Sequence, residues 1–308
     1  MSDARKTQAA VQTTGHAWDG DIQEFNNPLP NWWLWAFYAT VVFAVVYWIF
    51  YPAWPVGGGY TTGVMNDITF VDSDGTEKTM HWNTRALLLK DLQESKSATL
   101  SHEYLEKVKD ADYQTILGDA EMMAFTRSMA VGLFGDNCAA CHGAGGTGVI
   151  GLFPNLADDD WLWGGTVEDI QTTITNGRYG FMPSFRETFN DKQLDDVAAY
   201  VLSLSGQHKA DASVARGKAI FQTSTGGCYY CHGHDAKGMK SQGSANLTDQ
   251  IWTIADVPDA DTQEQKLAAV KAVVTHGVQR TMPHWSDRLD KTQIKLLTVY
   301  VHELGGGQ

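Results

Sequence analysis

The sequence predicts an all-α protein with one N-terminal transmembrane helix, two small helical domains in tandem, and a small β-hairpin in the arm between them. Three observations carry that prediction: an uncharged apolar run near the N-terminus, a cysteine-containing pentapeptide that occurs twice, and a common order of landmarks after each copy. At 308 residues the chain is long enough for two or more compact domains.

No charged side chain occurs between Phe25 and Asn66, and Trp32 to Tyr51 is predominantly apolar. Twenty helical residues rising 1.5 Å each give about 30 Å, the thickness of a bilayer's hydrocarbon core. Trp32, Trp33 and Trp35 at one end, with Tyr47, Trp48, Tyr51 and Trp54 at the other, resemble the two aromatic belts at headgroup level. Pro28 and Pro30 before the run and Pro52 and Pro55 after it bound the helix, which is expected over 31–54. A cleaved secretory segment would be apolar over only about 7–15 residues and end in small residues. This one ends in aromatics and prolines. Residues 1–30 are then a cytoplasmic segment, because Arg5, Lys6 and the α-amino group favour an inward N-terminus.

Residues 55–120 read as an arm. Gly57-Gly58-Gly59 predicts a flexible exit from the membrane. Ile68–Val71 and Glu77–His81 flank Asp74-Gly75, a pairing of β-prone runs about a strong turn dipeptide, which predicts a hairpin. From Thr84 to about Leu133 the apolar spacing is helical.

The pentapeptide is Cys138-Ala139-Ala140-Cys141-His142, repeated as Cys228-Tyr229-Tyr230-Cys231-His232, and it uses all four cysteines of the chain. Cys-x-x-Cys-His is the pattern of covalent haem c attachment, in which both thiols become thioethers and the histidine ligates iron. A single Cys-x-x-Cys also suits half a zinc site or a thioredoxin-like redox pair. Occurring twice, each time followed by histidine, it points instead to two covalently bound haem c groups. A zinc ribbon, moreover, places its pairs about 15–20 residues apart.

After each motif come Asn-Leu and then a tryptophan, Asn155-Leu156 with Trp161 and Asn246-Leu247 with Trp252. Ile174-Thr175-Asn176-Gly177 answers Val274-Thr275-His276-Gly277, and Met182-Pro183 answers Met282-Pro283. Phe185 aligns with Trp285. Leu194, Tyr200, Val201 and Leu204 match Ile294, Tyr300, Val301 and Leu304, and the extra residues of the second copy fall at 256–265, where a surface loop is expected. Each copy thus reads as helix, motif, tryptophan loop, short helix, Met-Pro loop and terminal helix, the order of a small cytochrome c-like domain. The boundaries are 121–207 and 208–308.

Met182 and Met282 are the candidate sixth ligands. A thioether is soft and stabilises ferrous iron, so His/Met coordination raises the reduction potential. Met122, Met123 and Met129 sit on an amphipathic helix and read as packing. Met239, His234, His276 and His284 are alternative ligands, while His16, His81, His102, His208 and His302 carry no motif. Iron bound by His142 or His232 and by a methionine has no open position for substrate. The expected role is electron transfer, and no residue of the chain is assigned as catalytic.

The formal net charge is −13, nearly all of it after Tyr51. That argues against a nucleic-acid partner and suits a basic electron carrier. Haem c attachment in bacteria takes place outside the cytoplasmic membrane, so both motifs are expected in the periplasm, as part of a single-pass protein of the inner membrane.

Three stretches carry a family resemblance: Thr13–Gly20 followed by Asn26–Trp35, then Phe134–Gly143, then Asp158–Thr166. They resemble the dihaem cytochrome c subunit, subunit III, of cbb3-type cytochrome c oxidases, and the likeness covers nearly the whole chain. The resemblance implies an electron-entry subunit that takes electrons from soluble cytochrome c. It would pass them through a monohaem cytochrome c subunit to the haem-copper catalytic subunit, which reduces oxygen and pumps protons. It also implies Cys138, Cys141 and His142 at one haem, Cys228, Cys231 and His232 at the other, and Met182 and Met282 as distal ligands, serving their own copy or the other. The hairpin about Asp74-Gly75 looks like an insertion, Gly177 to Met182 looks short, and some relatives have two spanning helices. The alternatives are a free-standing membrane-anchored dihaem carrier and a dihaem peroxidase.

Overall fold

The computed structural model describes residues 12–305, so Arg5 and Lys6 lie outside the described residues. The chain divides into two compact units, one ending at Ser101 and the other beginning at His102.

In the first unit, β1 (Thr13–Trp18) and β2 (Ile22–Phe25) form an antiparallel hairpin that the sequence reading did not anticipate. All its residues are exposed, so it carries no buried alternation to betray it. Helix α1 (Asn31–Phe50) starts directly after Pro30 and ends before Pro52, four residues short of the expected limit. None of its residues is buried. Among the described residues it is the one helix long and apolar enough to cross a membrane.

The exit from α1 is ordered rather than flexible. Strands β3 (Pro55–Val56) and β4 (Gly59–Tyr60) pair about the two-residue turn Gly57-Gly58. The chain then folds back so that the amides of Val64 and Met65 donate to the carbonyls of Ile49 and Phe50, both at 3.1 Å. The last carbonyls of a helix have no partner within it, and these bonds supply one. The expected hairpin about Asp74-Gly75 is present as β5 (Ile68–Val71) and β6 (Glu77–Met80). Ile68 and Phe70, on one face by the two-residue period, bury against Ala86 of α2 (Thr84–Glu94). Asn83 caps that helix by accepting from the Ala86 amide at 2.9 Å.

Helix α3 (Lys96–Asp110) leads to α4 (Tyr113–Gly118) and α5 (Ala120–Asn137). Val108, Ile116, Met123 and Ala130 of these helices form one core with Leu296 and Val299. The end of the expected arm therefore belongs to the motif-bearing unit. Lys295 ties it there, donating to the carbonyls of Val108, Lys109 and Ala111 at 3.2, 2.7 and 2.7 Å, where a helix C-terminus favours a cation.

The two copies then run in parallel order. The first has α6 (Ala139–His142), α7 (Val167–Asn176), β7 (Arg178–Met182) and α8 (Asp191–Leu204). The second has α9 (Ala212–Phe221), α10 (Tyr229–His232), α11 (Gln263–His276), β8 (Val278–Met282) and α12 (Lys291–Leu304).

Packing departs from the expected division at 207/208. Helix α8, from the first copy, packs on α9 and α11 of the second, while α12 packs on α5 and α7 of the first. The core around the first motif joins Phe134, Ile170 and Ile174 to Leu289, Ile294, Leu297 and Val301. The other core joins Phe189, Leu194, Val197, Val201 and Leu202 to Ile220, Val270 and Val274. The crossing is made by β7 and β8, which pair antiparallel in full register. Nor is the added loop of the second copy merely superficial, since its Val257 buries in that second core. Leu297 is fully buried where α12 meets the first copy. Leu297→Ala is expected to destabilise the fold by about 2–5 kcal/mol, read as a lower urea midpoint.

Candidate functional site

Each attachment motif turns once before its histidine, the first directly at the end of a helix and the second after a turn that follows Phe221. Cys138 ends α5, its amide donating to the Phe134 carbonyl at 2.8 Å, and α6 brings His142 inward. The Nδ1–H of His142 donates to the Pro154 carbonyl at 3.0 Å, and that of His232 to the Ala245 carbonyl at 3.0 Å. A carbonyl only accepts, so the proton sits on Nδ1 and the Nε2 lone pair is left for a metal. Burial depresses the pKa of both imidazoles, only partly offset by those bonds, which keeps them neutral as ligation requires.

Sequence reasoning missed the glycine that makes this bond reachable. Six residues after each histidine stand Gly148 and Gly238, both at positive φ, with amides that donate back to the His142 and His232 carbonyls at 2.8 and 2.9 Å. A Cβ at Gly148 would collide with the carbonyls of Phe153 and Pro154, and one at Gly238 with those of Ser244 and Ala245. The signal was legible as a matched His-Gly spacing of six in both copies.

None of the four cysteines is joined in a disulfide. Cys138 and Cys228 are part-buried, and burial pushes their thiols up to about 11, while Cys141 and Cys231 are exposed.

The methionines end strands rather than lying in loops. The segment Gly177–Met182 matches its counterpart in the second copy: β7 and β8 are both five residues long, and Met182 pairs with Val278 as Arg178 pairs with Met282. Met182 packs into the core of Leu247, Trp252, Val270 and Val274, which belong to the second motif's copy. Met282 packs into the core that includes Cys138, Leu156, Trp161 and Ile174. Met282 therefore shares a core with Cys138, and Met182 shares one with Leu247 and Trp252 of the second copy. The Met-Pro loops are docked to match, with the amide of Trp285 donating to the Ile174 carbonyl and that of Phe185 to the Val274 carbonyl, both at 3.1 Å. Gly177 and Gly277 lie directly against the carbonyls of Met282 and Met182, where a Cβ would clash.

The alternative ligands stand elsewhere. His234 pairs through Nδ1 with the Gln222 side chain at 2.8 Å and stacks on Tyr229. His284 faces Asp287 at 3.1 Å, and Met239 is 40% exposed.

Haem c fits these residues on a further observation. Trp161 Nε1, Trp252 Nε1 and Arg280 Nη1 are buried donors without an acceptor among the described residues. A buried donor without an acceptor costs about 1–3 kcal/mol. The propionate carboxylates of a haem are acceptors of the right kind, and one orphaned tryptophan stands in each motif's core.

Residues 129–201 and 212–301 match the family model described as cytochrome c oxidase, cbb3-type, subunit III. The chain belongs to that family. Residues 10–58 match the N-terminal domain of cytochrome oxidase-cbb3, FixP. The chain is 42% identical to the cbb3-type cytochrome c oxidase subunit FixP of Azorhizobium caulinodans, over 96% of this chain and 94% of that protein. It is 38% identical to the subunit CcoP of Cereibacter sphaeroides, over 96% and 95%. With CcoP of Rhodobacter capsulatus the identity is 39% over the full length of both. As a cbb3-type subunit III, the chain is an electron-transfer subunit of a cytochrome c oxidase complex and binds haem c, with α1 as its candidate membrane anchor.

Proposed function

We propose that the chain holds two haem c groups in crossed coordination. One would be held by Cys138, Cys141, His142 and Met282, and the other by Cys228, Cys231, His232 and Met182. The observation that carries this reading is the pairing of each methionine with the opposite motif's core. Bound there, haem supplies one-electron redox chemistry at a potential raised by the thioether. The chain's own contribution would be to hold each iron with one histidine and one methionine, which would leave no open site for oxygen or peroxide. That disfavours the peroxidase alternative. By the same reading the functional division is not 121–207 and 208–308. Each haem-binding body is built from parts of both copies.

The donor is a soluble cytochrome c, drawn by the acidic surface at a rate that falls as salt screens the field. The acceptors are the monohaem cytochrome c subunit and, beyond it, the haem-copper subunit. The chain crosses the bacterial inner membrane once, N-terminus inside, with both haems in the periplasm.

Solubilising membranes in mild detergent and recording the reduced spectrum of the purified complex tests this. The expected result is two low-spin haems c per chain, no carbon monoxide binding at them, and comigration with a haem-copper subunit. Migration of the chain alone would favour a free-standing carrier, and carbon monoxide binding a peroxidase.

A further inference from the structure

The β7–β8 ribbon has two unlike faces. Tyr179, Phe181, Gln279 and Thr281 are exposed, and the alternating Arg178, Gly180, Met182, Val278, Arg280 and Met282 are half-buried. Register places Arg280 opposite Gly180 at the ribbon's centre, two residues from the pair Met182 and Val278 on one side and from Met282 and Arg178 on the other. Arg280 thus shares an inward face with both candidate sixth ligands. It is also a feature of one copy only, since the equivalent position in the first copy is Gly180.

The two arginines of that face differ in how they are satisfied. Arg178 donates through Nε to Thr173 Oγ1 at 2.9 Å and lies over the Trp163 ring, 4.9 Å from its centroid. Arg280 donates through Nη2 to the Thr253 carbonyl at 3.1 Å, directly beside Trp252, and its Nη1 is buried without an acceptor. Trp252 Nε1 is a second unpartnered buried donor on that side. Arginine remains protonated in proteins, so a buried guanidinium calls for an anion. Burial lowers the pKa of Arg280, and among the described residues no carboxylate opposes it. The acidic residues Asp158, Asp160 and Asp249 crowd together elsewhere: the Asp160 carboxyl is pushed up to about 6 by burial and then by the other two charges, and Arg280 has no part in it.

We propose that Arg280 is a potential-setting residue. With Trp252 it holds a propionate carboxylate of the haem at Cys228–His232, and its fixed charge makes that haem easier to reduce than its otherwise similar twin. Reduction adds one electron to ferric iron and lowers the site's charge by one, so a nearby cation favours the ferrous form. The Thr253 bond ties Arg280 to the second site although its strand leads to Met282. This inference rests on the two-haem, crossed-methionine reading above.

The test is an optically monitored redox titration of the intact oxidase complex carrying Arg280→Gln or Arg280→Lys. In Arg280→Gln, one of the two haem waves is expected to fall by a factor of about ten in its reduction equilibrium, about 59 mV for one electron. The other wave should stay in place, with haem content and the methionine–iron charge-transfer absorption unchanged. Arg280→Lys should recover most of the shift. Met182→Leu assigns the wave, because it perturbs the same haem. Both waves unmoved, both moved equally, or the wrong haem moved would each overturn the proposal. Should Arg280→Gln fail to retain haem, the redox-difference infrared bands of the propionate carboxylates in Arg280→Lys decide: a shift supports the contact and identical bands refute it. Fewer than two low-spin haems in the wild-type chain would overturn the underlying reading as well.

Discussion

Truncation after Asp290 is expected to ruin the site at Cys138–His142 and to spare the one at Cys228–His232. The removed segment is α12, whose Ile294, Leu297 and Val301 fill the core around the first motif. Its Leu296 and Val299 close the adjoining core of α3, α4 and α5. Full burial of such a side chain is worth about 1.5–3 kcal/mol, and five of them together rival the whole stability of a domain, about 5–15 kcal/mol. The second site keeps α8, α9 and α11. A sequential arrangement predicts the reverse, because α12 would then belong to the second domain. Limited proteolysis followed by mapping of the haem-bearing fragments separates the two outcomes. Protection of the first site with loss of the second would sink the crossed architecture.

Replacing one methionine should likewise act on the haem of the other copy. In a chain whose second attachment site is removed by Cys228→Ala and Cys231→Ala, the remaining haem is the one at Cys138. There Met282→Leu is expected to convert it from low to high spin and to open it to carbon monoxide, while Met182→Leu leaves its spectrum low-spin. Leucine is close to methionine in volume, so the core around Trp161 and Ile174 should tolerate the change at less than about 1.5 kcal/mol. The opposite pattern would mean that each methionine serves its own copy.

The legibility of this molecule in its sequence was uneven for physical reasons. Cys-x-x-Cys-His is local chemistry: thiols and imidazole must stand within one helical turn of each other, so the motif is visible in five residues. The span of α1 was equally plain, because lipid demands length and apolarity together and proline marks both ends. Partner choice was not legible. Leu194, Tyr200, Val201 and Leu204 repeat as Ile294, Tyr300, Val301 and Leu304, so α8 and α12 offer equivalent faces and either could cover α7 or α11. What decides is a ribbon of five residues per strand, and Arg178–Met182 shows no strand pattern outside the pairing that creates it. The hairpin Thr13–Phe25 escaped for a related reason, having no buried face. Gly148 and Gly238, by contrast, stood at matched positions in both copies and could have been found by extending the repeat comparison inward from the histidines.

The exchange of α8 and α12 has a consequence for the order of synthesis. The first motif emerges early, but the helix that seals its core is almost the last part of the chain to appear. At about 5–20 residues per second, the stretch from His142 to Leu304 takes on the order of ten seconds. Throughout that interval the pocket is unroofed and Cys138 remains within reach of the attachment machinery. Arrival of the fourteen residues of α12, Lys291–Leu304, then closes the core over the first motif. The second motif waits less, since α8 precedes it and α11, Gln263–His276, follows soon after.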